Sequence, residues 1–222
     1  MRRRRADGAA WTAIGNAMGE PDLVEQTYAE MLGAYRVRRR ELLLLAAADV
    51  LNERGIRHVT MDDVAQRAGV SKVILYRYFG SKDKLVHAVL NEVVEAILTA
   101  DLAEADWWTD RVRRTLRVAR QHPSAMRLLV RHASHDAEFG VHFDRLTAAL
   151  VARVEERQQA ILGPVDQSRG AFAVLAESVT AFLLDAYVRW IEHPDDTDDE
   201  RFLDWVTKSV RAMVFYWRGL EP

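Results

Sequence analysis

Apolar and polar positions in the N-terminal half of the chain recur at the spacing of amphipathic helices. Residues 37–54 contain no Pro or Gly and are rich in Ala and Leu, and Gly55 follows them as a typical C-terminal stop. Spacings of three and four residues, which mark one helix face, are traced by Leu42, Leu45, Ala46, Asp49 and Val50. The pattern therefore predicts a first amphipathic helix.

A second helix is predicted to begin at Thr60. Its hydroxyl can accept a hydrogen bond from a free backbone N–H, and Asp63 can return the interaction, forming a capping box in which Asp replaces the usual Glu. The side chains expected to face inward from this helix are Met61, Val64, Ala65 and Ala68.

A tight turn and a third helix follow. Gly69 lets the backbone reverse within about three residues, Val70 fills the angle between the helices, and Ser71 is placed to cap the next helix. That helix, residues 72–79, mixes basic and phenolic side chains with apolar ones. Such a surface suits a helix in a DNA major groove, where most contacts go to phosphate oxygens and a few to base edges.

A fourth helix is predicted to start at Lys82, with Ser81 as its cap. The free backbone N–H groups at a helix start and an adjacent ammonium form a favourable corner for a phosphate, through the helix dipole and direct charge. Residues 38–85 are therefore interpreted as a three-helix DNA-binding unit followed by the first turn of another helix.

This stretch resembles the N-terminal domain of the TetR family of bacterial regulators, whose pattern runs T-x-x-x-[IV]-A-x-x-A-G-V-S-x-x-x-[LIF]-Y-x-[YH]-F-x-x-K-x-x-L. The matching places are filled by Thr60, Val64, Ala65, Ala68, Gly69, Val70, Ser71, Leu75, Tyr76, Tyr78, Phe79, Lys82 and Leu85. The resemblance implies an all-α protein. It would have an N-terminal helix-turn-helix DNA-binding domain and a C-terminal helical bundle for ligand binding and dimerisation.

The same segment supplies the candidate DNA contacts. Phosphate contacts are expected from Thr60, Tyr76, Tyr78 and Lys82, and the side chains expected nearest the bases are Lys72, Val73 and Arg77. Ser71 is a further candidate DNA contact. The alternative for Tyr76 is packing against the first helix, while Leu75 and Phe79 are expected in the core. Val73 and Ile74 occupy places where many family members carry a small residue followed by Thr, so the hydroxyl contact of those members is missing here.

Charge along the chain agrees with DNA binding at the N-terminal end. Residues 36–87 contain 11 Lys and Arg against 6 Asp and Glu, whereas residues 88–222 contain 16 against 22. A basic end and an acidic body orient a molecule on a polyanion. The chain has no cysteine, which excludes disulfides and thiolate sites, and no apolar run reaches the roughly 18 residues of a membrane helix. We therefore expect a cytoplasmic protein with no membrane partner.

Three regions are predicted along the chain. Residues 1–35 form an N-terminal extension, with a possible short helix over 21–35, and its basic residues 2–5 are either an arm along the DNA or a disordered, solubilising tail. Residues 36–82 form the helix-turn-helix domain, and residues 83–222 form the effector-binding and dimerisation domain. The helix that starts at Lys82 is expected to end near residue 102. Five further helices are expected over residues 106–122, 123–135, 139–162, 168–192 and 199–217.

The last two predicted helices carry apolar stripes. In the resembling family, two late helices pair with the same two of a second subunit, and the candidates for that interface here are Phe182, Trp190, Trp205, Met213 and Trp217. Stripes at this spacing also suit an ordinary core. A dimer has geometric support, because one short recognition helix reads too few base pairs to find a site in a genome.

Apolar side chains of the C-terminal region are candidates for a ligand cavity. The set comprises Trp107, Trp108, Met126, Leu129, Phe139, Phe143 and Phe172. Arg127 or Arg131 is predicted to hold the polar end of the ligand, for which an acyl chain or its coenzyme A thioester is one hypothesis. The alternative is a solvated face on which these arginines pair with Glu138 or Asp144.

Signs of catalysis or metal binding are missing from the sequence. His122, His132, His135 and His142 lack the H-x-x-x-H spacing of a metal site, so no metal or other cofactor is predicted. The nucleophile-elbow, Walker and dinucleotide motifs are absent as well. The expected function is a ligand-responsive transcriptional regulator, a repressor that binds a palindromic operator as a homodimer and is released by a small, hydrophobic effector. The alternatives are a ligand-dependent activator, a co-repressed regulator, a helical enzyme or an adaptor.

Overall fold

The computed structural model describes residues 21–103, 108–162, 172–193 and 198–219, and within these ranges the chain is helical and has no strand. The all-α prediction is therefore confirmed. The helices are α1 (Pro21–Arg54), α2 (Met61–Ala68), α3 (Lys72–Phe79), α4 (Lys82–Leu102), α5 (Trp108–Gln121), α6 (Pro123–Arg127), α7 (Gly140–Leu162), α8 (Phe172–Glu192) and α9 (Asp199–Arg218). The chain divides into two compact units, Met1–Leu43 and Leu44–Pro222, and the division falls within α1.

Helix α1 is continuous over 34 residues, although the sequence predicted a short helix over 21–35 and a separate one from residue 37. The only glycine inside it is Gly33, which does not adopt a positive φ. One glycine within a helix costs about 1 kcal/mol relative to alanine and does not end it. The helix ends where Gly55 adopts a φ of 80°.

The buried face of α1 in the second unit differs from the face that the spacing suggested. Leu44, Ala47, Ala48 and Leu51 are buried, whereas Leu45 is exposed. Leu42, in the first unit, is exposed as well. The run LLLLAAA at 42–48 is apolar on every side of the helix, so its periodicity does not select a face. Packing with the rest of the unit makes that selection.

The C-terminal helices form a bundle. Helix α4 packs with α5 and α7, α7 packs with α8, and α5 and α9 both pack with α8 and with each other. The predicted ends of α4, α7 and α8 are confirmed at Leu102, Leu162 and Glu192. No helix among the described residues combines the length and apolarity that a bilayer crossing requires.

The single helix predicted over 123–135 is wrong in detail. After α6, Leu128–His132 form a wide π-helical turn and Ala133–His135 a tight 3₁₀ turn. Leu128, Leu129 and Ala133 are fully buried there. Tertiary packing, and not helical periodicity, therefore determines the backbone conformation of this segment.

Candidate nucleic-acid interface

The start of α2 is held by the predicted capping box, which is confirmed. The Asp63 backbone N–H donates to Thr60 Oγ1 at 3.3 Å, and Asp63 Oδ2 accepts from the Thr60 backbone N–H at 2.8 Å and its hydroxyl at 2.7 Å. These hydrogen bonds hold the pKa of the Asp63 carboxyl below its ordinary value, with help from Arg54, whose Nη1 lies 2.6 Å away. Because Asp63 belongs to the capping box and also pairs with Arg54, it connects the start of α2 to the end of α1.

The turn between α2 and α3 requires a glycine. Gly69 has a φ of 64°, its N–H donates to the Gln66 carbonyl at 3.2 Å, and the Val70 N–H donates to the Ala65 carbonyl at 3.0 Å. Ser71 occupies the position before α3, but its side chain makes no capping hydrogen bond, so the predicted capping role is wrong. Its exposed hydroxyl is left for another acceptor, such as a phosphate oxygen.

Helix α3 separates a buried face from an exposed one. Leu75 is fully buried and Phe79 is buried, which confirms their predicted core positions. Val73 is 68% exposed, and Tyr76 and Arg77 are exposed beside it. Tyr78 is half-buried, with its ring 6.0 Å from that of Phe79, and Ile74 is also half-buried.

Three of the predicted DNA contacts already have protein partners. The Lys72 ammonium lies 2.6 Å from Asp62 Oδ2, and this hydrogen bond raises the pKa of Lys72. The Lys82 ammonium donates to the Arg57 carbonyl at 3.2 Å, and Thr60 belongs to the capping box. Exposed ion pairs contribute about 0–1 kcal/mol, so a phosphate can replace Asp62 at Lys72 with little loss.

Arg57 is a basic residue beside this surface that the sequence reasoning missed. Its side chain is 81% exposed, in the loop before α2, and its Nη2 lies 3.4 Å from Asp136 Oδ2. Because its carbonyl accepts from Lys82, its backbone lies next to the predicted phosphate corner at the start of α4. A lone basic residue in a loop carries no distinctive sequence signal.

The family model described as "Bacterial regulatory proteins, tetR family" matches residues 43–89, which include α2, α3 and parts of α1 and α4. FasR of Mycolicibacterium smegmatis, an HTH-type transcriptional activator, is 29% identical over 195 residues, 84% of each chain. The solved structure of a TetR-like transcriptional regulator from Rhodococcus sp. RHA1 has 25% identity and a TM-score of 0.58, and the similarity covers 82% of this chain and 94% of that one. These comparisons support a regulator of the TetR family, whose N-terminal domain is matched by residues 43–89.

RutR of Escherichia coli K12, an HTH-type transcriptional regulator, is also similar, with 29% identity over 154 residues that cover 63% of this chain and 72% of RutR. The chain is accordingly a DNA-binding transcriptional regulator, and the relatives and solved structures that it resembles are transcription regulators and not enzymes. Regulators of the TetR family bind DNA and small-molecule effectors and usually act as dimers.

The DNA-binding helices connect to the bundle through α4 and a few side chains. His87 of α4 and His142 of α7 are in contact, with Nδ1 and Nε2 2.8 Å apart, and Phe139 packs against the edge of His87 at 5.0 Å between ring centroids. Arg57 pairs with Asp136, whose pKa is lowered by hydrogen bonds from the backbone N–H groups of Glu138 and Phe139. Among the described residues, no group of three or more His, Cys, Asp or Glu side chains is arranged to hold a metal.

A cavity lies between α4, α5, α7 and α8 of the C-terminal bundle. It encloses about 440 Å³ of empty space, part of which is open to solvent. Its lining residues are Asp101, Trp108, Arg111, Val112, Thr115, Leu150, Val154, Arg157, Thr180, Leu183, Leu184 and Tyr187. Only Trp108 of the predicted ligand residues belongs to this lining.

The other predicted ligand residues lie elsewhere or are not described. Met126, Leu129 and Phe139 are buried and Phe143 is half-buried, all outside the cavity lining. Trp107 and the side chain of Phe172 lie outside the described residues.

The two arginines predicted to hold the ligand's polar end also lie outside the cavity lining. Arg131 pairs with Asp185 at 2.9 Å and Glu192 at 3.4 Å, both on α8, and Arg127 donates to the Ile191 carbonyl at 3.4 Å. Arg131 therefore forms salt bridges, as the alternative predicted, but with Asp185 and Glu192 and not with Glu138 or Asp144. The irregular turn after α6 lies against α8, which brings these partners within reach.

Most of the residues proposed for a dimer interface contribute to packing within the subunit. Trp190 stacks on Phe202 with 5.0 Å between ring centroids and donates to Asp199 at 2.8 Å. Phe182, Met213 and Trp217 pack against the core formed by Leu175, Val179, Val210 and Val214. Trp205 is exposed, as are Val174 and Tyr216, which the sequence reasoning missed.

Proposed function

We propose that this chain is a homodimeric regulator that binds a palindromic operator and is released from it by a small effector. The exposed face of α3 carries the proposal, because Val73, Tyr76 and Arg77 point away from a helix that Leu75 and Phe79 anchor. An arginine on such a face can make a bidentate contact to guanine, and an exposed valine can pack on a thymine methyl group. Val73 thus supplies an apolar contact where many family members have a hydroxyl nearby.

The remaining DNA contacts we propose go to phosphates. Ser71, Tyr76, Tyr78 and Lys82 are accessible or half-accessible, whereas a contact from Thr60 or Lys72 requires exchange of its present carboxylate partner. Arg57 joins this set because it lies beside Lys82. The basic residues 2–5, proposed as an arm along the DNA, lie outside the described residues.

The domain organisation remains part of the proposal, with an N-terminal extension over 1–35, a DNA-binding domain over 36–82 and an effector and dimerisation domain over 83–222. Helix α4 links the last two, because it starts at the phosphate corner and ends with Asp101 in the cavity wall. Its 21 residues span about 30 Å. A ligand that prefers one position of α4 would change the spacing of two recognition helices, which must lie about 34 Å apart to enter successive major grooves.

A selection of genomic fragments bound by the purified protein, followed by affinity measurements at several salt concentrations, tests the proposal. Arg77→Ala should lower affinity for the selected site by roughly ten- to hundredfold and relax its sequence preference. Lys82→Ala and Tyr78→Ala should weaken binding to all sequences alike, and Lys82→Ala should reduce the salt slope by about 1. Arg117→Ala, an exposed arginine on α5, is the matched control and should bind as the unmodified protein does. Unchanged affinity in all three test variants would contradict the assignment of α3 and α4.

Ligand-dependent activation is the second candidate. The name of FasR, which the chain resembles over most of its length, describes an activator. A transcription assay with the selected operator placed upstream of a promoter or overlapping it separates the two, since a repressor lowers transcript only from the overlapping site.

A further inference from the structure

The cavity between α4, α5, α7 and α8 has a polar end formed by Asp101, Arg111 and Arg157. Arg153, which is not part of the cavity lining, also pairs with Asp101. The buried Asp101 carboxylate accepts from Arg153 at 3.2 Å and from both terminal nitrogens of Arg157 at 3.1 and 2.5 Å. Arg111 Nη1 donates instead to the backbone carbonyl of Asp101, at 2.7 Å. Within the described parts of the chain Arg111 forms no ion pair, so this end carries more positive than negative charge.

That excess charge lies partly out of water. Burial is the main reason that the pKa of Arg111 is lowered, the nearby charge of Arg157 adds to the effect, and the charge of Asp101 opposes it only in part. Burial and the charge of Arg157 disfavour the charged form of Arg111, and a further negative charge placed beside Arg111 would favour that form. The polar end is therefore electrostatically suited to an anion and unsuited to an ammonium group.

Two buried hydrogen-bonding groups in the cavity wall lack a partner among the described residues. They are the hydroxyl of Thr180, a residue 2% exposed, and the indole N–H of Trp108. The Tyr187 hydroxyl, also in the wall, lies 3.4 Å from the Val112 carbonyl, a long hydrogen bond. An indole N–H can only donate, and buried polar groups are normally satisfied, so the wall requires an occupant with acceptor atoms.

The rest of the wall is apolar. It is formed by Val112, Leu150, Val154, Leu183 and Leu184. The empty space of about 440 Å³ includes some open solvent, so the enclosed part is smaller than this figure. These side chains would cover the hydrocarbon part of a compact molecule and not of a long one.

We propose that the effector is a compact organic acid, whose carboxylate binds Arg111 and whose apolar body fills the space between α5, α7 and α8. The acceptor atoms of the acid satisfy Thr180 and Trp108. This inference rests on the proposed function, in which the cavity receives the effector, and it adds the chemical class of that effector. An amine of the same shape would meet like charge, and an alcohol would leave the charge of Arg111 uncompensated.

The test uses matched acid, alcohol and amine triplets built on a hexyl, a phenylbutyl and a naphthylmethyl body. Titration calorimetry on the full chain without DNA gives their dissociation constants. For at least one body, the acid should bind roughly ten- to hundredfold more tightly than the alcohol, as expected for a charge-assisted hydrogen bond, and the amine should bind least.

Two variants locate the effect in the cavity. Arg111→Gln should abolish the preference for the acid and leave the affinity of the alcohol unchanged, while Arg117→Gln, an exposed arginine on the same helix, should retain the preference. Thr180→Val removes a hydroxyl that has no partner, so it should leave the melting temperature of the free protein equal or higher while it weakens acid binding. If Thr180 had only a structural role, its substitution would not weaken acid binding while leaving the melting temperature equal or higher.

Equal or tighter binding of the alcohol or amine overturns the organic-acid proposal, and so does a preference for the acid that persists in Arg111→Gln. Absence of binding by every acid at millimolar concentration overturns it as well. Tight binding of an alcohol or amine would leave the proposed effector cavity in place and reject only the acid. Failure of the proposed DNA-binding function would appear separately, in the operator selection described above.

Discussion

Single residues on α3 have distinct tasks because the helix is only eight residues long. Leu75 and Phe79, four residues apart, fix the helix to the rest of the unit. Val73, Tyr76 and Arg77, which we propose as DNA contacts, are exposed. Val73 and Ile74 show that exposure changes from one residue of α3 to the next. They are neighbours with similar side chains, yet Val73 is exposed and Ile74 half-buried.

Truncation of Leu75 and Val73 should therefore have opposite consequences. Leu75→Ala leaves a cavity at a fully buried site and should lower the free energy of unfolding by about 2–5 kcal/mol, whereas Val73→Ala should change it by less than about 0.5 kcal/mol. Urea denaturation followed by circular dichroism measures both. Val73→Ala should instead alter the sequences recovered in the operator selection. A comparable loss of stability in the two variants would contradict this division.

His142 makes the stability of the chain sensitive to pH. Burial lowers its pKa below the ordinary 6.5, and the charges of His87 on α4 and Arg145 on α7 add to this. Glu138 faces the pair from the preceding turn, with Oε1 3.9 Å from His87 Nε2. Because the folded chain binds this proton less readily than the unfolded chain, the stabilisation is complete above pH 6.5 and is lost as the pH falls through that value.

We expect the free energy of unfolding to decrease between about pH 7.5 and pH 5.5, and His142→Gln to flatten this dependence. Denaturant titrations at half-unit pH intervals give the slope. His135→Gln, at an exposed histidine, is the control and should keep the slope of the unmodified chain. If the two variants gave the same slope, His142 would not be its source.

At the scale of elements, glycines at two positions act in opposite ways. Gly69 has the left-handed backbone that the turn between α2 and α3 needs, while Gly33 lies inside α1 with open space around the position of a side chain. The first is required by the turn, and the second only weakens a helix. A pattern of glycines alone would treat both as breaks.

Gly33→Ala should stabilise α1 by about 0.5–1 kcal/mol, and Gly69→Ala should destabilise the helix-turn-helix by about 1–2 kcal/mol. Thermal unfolding monitored at 222 nm, which reports helix content, measures both changes. Gly69→Asn is the control, since asparagine tolerates the left-handed region and should recover part of the loss. A loss of stability in Gly33→Ala would show that the continuous helix is wrongly described.

The elements that the sequence predicted well are those fixed by neighbours in the chain. Thr60 with Asp63, and Gly69 in its turn, are local signals, and the structure reproduces them. The face of α1 and the irregular path after Arg127 depend on packing with distant segments, so periodicity could not supply them. The cavity has the same origin, because Asp101 and Arg157 meet across 56 positions of sequence. Of the aromatic candidates only Trp108 lies in that wall, and the polar residues of the wall gave no local signal.

At the scale of the whole molecule, the proposed readout of a palindromic operator requires two copies of the chain. Regulators of the TetR family usually act as dimers, and α8 and α9, the two helices that the resemblance predicts at the interface, carry exposed apolar side chains outside the bundle core. Tyr216 is 88% exposed on α9, with Trp205 exposed on the same helix and Val174 on α8. Because Trp205 also contacts Phe182 and Phe202 within the subunit, Tyr216 gives the cleaner test.

Tyr216→Glu and Val174→Glu should each convert the dimer to monomer at micromolar concentration, because a charge buried in an interface without a partner is strongly unfavourable. Sedimentation equilibrium measures the change. Val141→Glu, the same substitution type at an exposed apolar position on α7, is the control and should stay dimeric. The monomeric variants should bind a full operator no more tightly than a single half-site, since the second recognition helix is no longer held in register. Dimers that persist in both variants would place the interface on another face of the bundle.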